Sequence, residues 1–158
     1  MATSGPEGLD CSPRSDPPGF VRVLGDTTVL IPDRRGNNRI DTLRNLVTDP
    51  RISLLFLIPG IGMTLRINGR AEIRVDEALR ESFSMNGKVP ATVIAVTAER
   101  VHTQCPKALV RSKLWDPERH LAKSALPTSG EMLQAIKSSF DGASWDEQYE
   151  ALLERTMY

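Results

Sequence analysis

The clearest periodicity in the chain lies in residues 63–75, where MTLRINGRAEIRV alternates apolar and polar side chains. Met63, Leu65, Ile67, Gly69, Ala71, Ile73 and Val75 share one face of the predicted strand. Thr64, Arg66, Asn68, Arg70, Glu72 and Arg74 share the other, because successive strand residues point to opposite sides. Gly69 inside so long a strand predicts a bend or bulge. Residues 52–58 (ISLLFLI) are a continuous apolar run of strand length, which predicts a strand buried on both faces. Residues 91–105 (ATVIAVTAERVHTQC) predict a second long strand, apolar early and mixed later. Upstream, residues 20–24 alternate, Gly25-Asp26 turns the chain, and residues 27–31 are β-branched and apolar. That order predicts a hairpin with a primed turn.

Helical spacing is confined to short segments. Ile40, Leu43, Leu46 and Val47 repeat at 3.6-residue spacing, so the segment 34–47 carries a short helix, stopped by Thr48-Asp49-Pro50. Asn37 or Asn38 would cap its N-terminus. Residues 76–83 predict a short helix ended by Asn86-Gly87, and residues 106–112 one helical turn. Near the C-terminus, Thr128 or Ser129 caps one helix and Ser144 a last one. The first 19 residues are rich in Gly, Pro, Ser and Asp, with Ser4 to Gly8 reading as a turn. Five or six strands with few intervening helices predict a mainly β fold with flanking helices, a small antiparallel barrel rather than a doubly wound sheet. Residues 1–125 read as the domain and 126–158 as its helical extension.

Composition narrows the function. Twenty basic and 20 acidic residues give zero net charge, which argues against a general nucleic-acid binder. Aromatic residues are 5% of the chain, too few for an oligonucleotide-stacking barrel. No apolar run approaches the ~20 residues that span a bilayer, and the N-terminus lacks an apolar signal core. Two cysteines, Cys11 and Cys105, give no disulfide framework and suit a cytoplasmic setting.

No nucleophile–base motif, phosphate loop or metal-ligand spacing is present. His102 and Cys105, three apart on a predicted strand, point to opposite faces. Positive charge gathers in IPDRRGNNRIDTLRNL, where Arg34, Arg35 and Arg39 surround Gly36-Asn37-Asn38. Basic side chains at a helix start oppose its dipole, an arrangement suited to an anion held between arginine forks and free N–H groups; the alternative is a solvated basic loop. Trp115 follows the cationic Arg111-Ser112-Lys113 and can wall a planar ligand or pack at the edge of the core. Arg66, on a polar strand face, lines a groove or faces solvent.

Three segments carry a family resemblance: IPDRRGNNRIDTLRNLVTDPRISLLFLIPG, TLRINGRAEI and HTQCPKALVRSKLWDP. In order and spacing they resemble the pyridoxamine 5′-phosphate oxidase-like flavoproteins, in the branch of FMN-dependent enzymes, from about residue 2 to residue 117. The resemblance implies an FMN-binding split β-barrel that works as a homodimer, with FMN at the dimer interface. It implies phosphate contacts from Arg39, Asn37, Asn38 and Arg34, with a further basic residue at Arg14. Thr64 and Arg66 would approach the flavin ring, and Lys107, Arg111, Ser112, Lys113 and Trp115 would reach toward the cofactor.

Two departures from the family follow. Met1 falls where the first barrel strand should be nearly finished, so part of that strand is expected to be missing. No residue set for pyridoxine phosphate recognition is present, so the vitamin oxidase reaction itself is not expected. The leading reading is an FMN-dependent oxidoreductase acting on a small-molecule substrate or electron donor. The alternatives are a non-catalytic flavin- or haem-binding protein and a deazaflavin-using one.

Overall fold

The computed structural model describes residues 1–37 and 39–157. They divide into two compact units, Met1–Trp115 and the residues from Asp116 onward. The division falls before the 125/126 boundary read from sequence. Trp115 is tied to the first unit, its Nε1 donating to the Ile61 carbonyl at 2.9 Å. Lys123 reaches Glu150 within the second at 3.5 Å.

The first unit is a seven-stranded antiparallel sheet with three short helices. Its strands are β1 (Ala2–Gly5), β2 (Gly8–Cys11), β3 (Arg22–Leu24), β4 (Thr28–Asp33), β5 (Arg51–Phe56), β6 (Thr64–Arg74) and β7 (Thr92–Gln104), in spatial order β2-β1-β5-β6-β7-β4-β3. This is the split-barrel class expected from sequence. The helices are α1 (Asp41–Thr48), α2 (Glu77–Ser82) and α3 (Lys107–Ser112).

The N-terminal strands were foreseen only in part, as the end of a first barrel strand. The turn expected within Ser4 to Gly8 is present, and strands flank it: Ala2 pairs with Cys11 and Gly5 with Gly8, making the β1–β2 hairpin. The polar, glycine-rich composition hid the strands, because their pairing depends on β5, to which β1 joins through Ala2–Ser53 and Thr3–Ile52. The hairpin between β3 and β4 forms as expected, with Gly25 at φ 61° in its turn.

β5 corrects a second expectation. Only Ile52 and Leu54 are buried, while Leu55 on the opposite face is 53% exposed. The run is apolar on both sides, yet one side alone meets the core. On β6 the alternation holds, with Ile67 and Ala71 in the core. The bulge expected at Gly69 is present, as the β6–β7 register shifts between Asn68 and Gly69. A Cβ on Gly69 would lie 2.0 Å from the Thr97 carbonyl oxygen, so this close approach requires glycine.

β7 is buried on both faces in its first half. Ile94 and Val96 join Val29, Ile31, Leu46, Ile52, Leu54, Ile67 and Ala71 in the main core. Val93 and Ala95 point the other way, packing with Leu30, Phe83 and Leu79 under α2. Fully burying one such aliphatic side chain contributes about 2 kcal/mol before entropy is counted.

The second unit is a helical hairpin of α4 (Ser129–Ile136) and α5 (Gly142–Thr156). Thr128 caps α4 in a box with Glu131. Asp141, rather than Ser144, caps α5, its carboxylate accepting from the Ser144 N–H at 3.0 Å. Gly130 and Gly142 let the helices touch: a Cβ on either would meet the other's backbone at 2.5 Å or less. Among the described residues no helix is long and apolar enough to cross a membrane.

Candidate functional site

The chain between β4 and α1 departs from the expected helix start. α1 begins at Asp41 with Ile40 as its N-cap and no side-chain cap. Asn37 instead turns the loop, its Oδ1 accepting from the Arg39 N–H at 3.1 Å. The other predicted cap and site residue, Asn38, lies outside the described residues. Arg34, Arg35 and Arg39 therefore precede the helix, and its first turn carries the acidic Asp41, which complements the dipole.

Tertiary structure supplies the arginines with partners that sequence reasoning missed. Arg34 Nε meets Asp16 at 2.7 Å, with side chains only 15% and 5% exposed. Arg14 lies 3.7 Å from Asp33 and also donates to Thr42 Oγ1 at 3.4 Å. Arg39 grips Asp41 at 2.9 Å, and Arg44 meets Glu7 at 2.9 Å. Asp10 accepts from Ser12 Oγ and from Thr42 Oγ1, joining β2 to α1. Burial pushes the Asp33 carboxyl above its ordinary range, and the Arg14 guanidinium draws it partly back. A cavity of about 380 Å³ opens beside this network, between the β1–β2 hairpin and α1, with Glu7, Asp10, Cys11, Arg39, Asp41 and Arg44 on its walls. Asp41, two residues from Arg39, was the one partner legible as a local pattern.

A second group gathers at the far end of β6 and β7. Thr64 is buried and pairs with Gln104. Arg66 donates through Nε to His102 Nε2 at 2.9 Å across the strand pair. α3 packs on the loop before β6, where a Cβ on Gly62 would meet Pro106 at 2.9 Å. Arg111 Nε donates to the Lys107 carbonyl at 3.2 Å, and Ser112 Oγ to that of Leu109 at 3.1 Å. Lys113 turns the chain at φ 51° and leads into the held indole of Trp115. No ion pair among the described residues involves Lys107, Arg111 or Lys113. Around them Leu57, Ile58, Ile61, Met63, Val110 and Leu114 are each 44% exposed or more.

The two groups sit at opposite ends of β7. Asp33, beside Arg14 and Arg34, pairs with Thr92 at the start of β7, whereas Thr64 pairs with Gln104 at its end. Twelve residues of β7 separate these positions, roughly 40 Å of strand contour.

The family model described as pyridoxamine 5′-phosphate oxidase matches residues 1–105. The chain belongs to the pyridoxamine 5′-phosphate oxidase family. Its fold is similar to crystal structures of HupZ from Group A Streptococcus. A histidine-to-alanine HupZ variant aligns with 21% identity and TM-score 0.53, covering 65% of this chain and 86% of that one. A second HupZ structure aligns with 21% identity and TM-score 0.54, covering 66% and 82%. A comparison with curated proteins gives no match.

A flavin phosphate would find its charges already compensated at the buried Arg34–Asp16 pair. The exposed Arg39–Asp41 pair is different: breaking an ion pair of this kind costs about 0–1 kcal/mol, and Arg39 is 75% exposed. The residues therefore fit the group through Arg39, with the exposed Arg35 four positions earlier in the same loop, while Arg14 and Arg34 are held by Asp33 and Asp16.

Proposed function

We propose that the protein is an FMN-dependent oxidoreductase whose flavin lies between two copies of the chain. The observation that carries this reading is the separation of the two residue groups. They lie at opposite ends of β7, farther apart along the strand than one extended FMN reaches. A second copy can bring its α3 and Trp115 end to the arginine end of the first. The exposed apolar side chains around Trp115 support such an approach, since burying them would favour association.

In this reading Arg39 holds the phosphate, Arg14 and Arg34 keep the β2–β4 loop in shape, and the partner's α3 end walls the ring. The flavin, when bound, supplies hydride and electron transfer. The chain's own residues bind it, orient it and exclude water, so no side chain need be an obligatory acid or base. The substrate is a small molecule or electron donor. Turnover of NAD(P)H with oxygen or a dye separates an oxidoreductase from a protein that merely holds flavin or haem.

Complementation tests the shared site. Arg39→Ala and Trp115→Ala should each lose the visible flavin band after removal of free FMN. Unfolding and refolding the two variants together at equal amounts should restore roughly a quarter of the wild-type flavin, because half the pairs are mixed and each carries one intact site. Loss in both variants without restoration on mixing would mean that each chain binds flavin alone, or not at all.

A further inference from the structure

One face of the sheet across β5, β6 and β7 carries three arginines at neighbouring positions. Register sets its layout. Leu55, Arg66 and His102 form one row, Ser53, Asn68 and Arg100 the next, and Arg51, Arg70 and Thr97 the third. Directly paired residues share a face, and diagonal neighbours are within reach of long side chains. Arg66, Arg70 and Arg100 thus project from one small area of sheet.

These three have no carboxylate ion pair among the described residues. Arg14, Arg34, Arg39, Arg44, Arg51 and Arg74 each have one. Asp49 lies near enough for Arg70 to act on its carboxyl, but Arg51 already grips it with three short bonds. Two hydrogen-bonding neighbours add to the face. His102 Nε2 accepts from Arg66 Nε, which steadies the guanidinium and leaves its terminal nitrogens for another acceptor. Asn68 Oδ1 accepts from Ser53 Oγ at 2.8 Å, so its amide donors remain available. Zero net charge for the whole chain conceals this imbalance, since residues 1–115 hold 16 basic and 12 acidic side chains.

We infer that Arg66, Arg100 and Asn68, flanked by Arg70 and steadied by His102, form an anion site for a phosphate-bearing small molecule. Guanidinium forks match phosphate oxygens in geometry, and a dianion offsets more of the clustered charge than a carboxylate does. The site is a face of regular sheet, so its spacing is set by backbone pairing rather than by a loop. It shares Arg66 with the flavin reading but stands without it.

The test is a titration with inorganic phosphate at fixed ionic strength, followed by NMR of the arginine Nε–H groups. Arg66 and Arg100 should shift saturably in the millimolar range. Arg100→Gln should weaken this response by about tenfold or more, the loss expected for one charge-assisted hydrogen bond. Its amide spectrum should keep the wild-type dispersion, and Arg100→Lys should retain part of the binding. Arg39→Ala should leave the response unchanged while reducing flavin retention, so failure of one site is distinguishable from failure of the other. Shifts reproduced by chloride, or confined to Arg39, would overturn the proposal. So would tight, steeply salt-dependent binding of a short DNA oligonucleotide with no response to phosphate, which would mark a polyanion surface instead.

Discussion

At the scale of single residues, charge pairing is mostly local and directional. Asp49 accepts from the backbone N–H and the side chain of Arg51, at 3.1 Å and as little as 2.5 Å. The Arg51 side-chain bonds, then its backbone bond, lower the Asp49 carboxyl from 3.8 to about 2. A depressed carboxyl contributes stability that is present above 3.8 and is lost as pH falls through about 2. Arg51→Ala should return Asp49 toward its ordinary value in a carboxyl NMR titration, and an unchanged titration would contradict this pairing. Asp49 and Arg51 are adjacent enough in sequence for the pair to be anticipated. Asp16 and Arg34 are not, and only the packing of the loop after β2 against the end of β4 joins them.

At the scale of elements, two devices decide local geometry. The first is the bulge at Gly69, where β6 passes so close to Thr97 that a methyl group would overlap backbone. Because neither strand can yield without breaking the ladder, Gly69→Ala should destabilise the first unit by about 2–4 kcal/mol, read as a lower midpoint in denaturant. The second is the capping box of α4. Thr128 Oγ1 accepts from the Glu131 N–H at 3.1 Å, and Glu131 accepts from the Thr128 N–H at 2.8 Å. The Thr128 hydroxyl also donates to Asp146 of α5. Thr128→Ala should cost the helical hairpin about 1 kcal/mol, with loss of helical circular dichroism at a lower temperature. The Thr128 cap and the glycine bulge were legible in sequence, since each is a short-range rule, whereas the expected caps of α1 and α5 were not the ones that formed. The β1–β2 hairpin was not, because its strands lack an alternating apolar pattern and draw their order from β5.

At the scale of the whole molecule, the question is what covers the apolar end of the first unit. Leu57, Ile58, Ile61 and Met63 are each about half exposed, next to the α3 and Trp115 surface. On the proposed reading a second copy covers them. Leu57→Asp with Ile61→Asp should then shift sedimentation from dimer to monomer and remove flavin together with the dimer. A monomeric wild type, or a dimer indifferent to these changes, would count against the shared site. Both positions are exposed, so the variant chain should keep its melting behaviour within about 1 kcal/mol.

Local patterns alone account for the part of the fold that periodicity governs. The two long strands, the β3–β4 hairpin, the bulge, the short helices and the split-barrel class all follow from spacing, turn chemistry and family likeness. Which arginines are paired depended on how the chain folds. Sequence reasoning set Arg34 and Arg39 together at a helix start as one anion site. Folding instead brought Asp16 to Arg34 and opened the helix with Asp41, leaving Arg39 at the surface. It also set Arg66, Arg70 and Arg100 on one sheet face with no ion pair among the described residues, although Arg70 and Arg100 stand 30 positions apart in the chain. Alternation assigns a side chain to a face, whereas register across strands determines its neighbours.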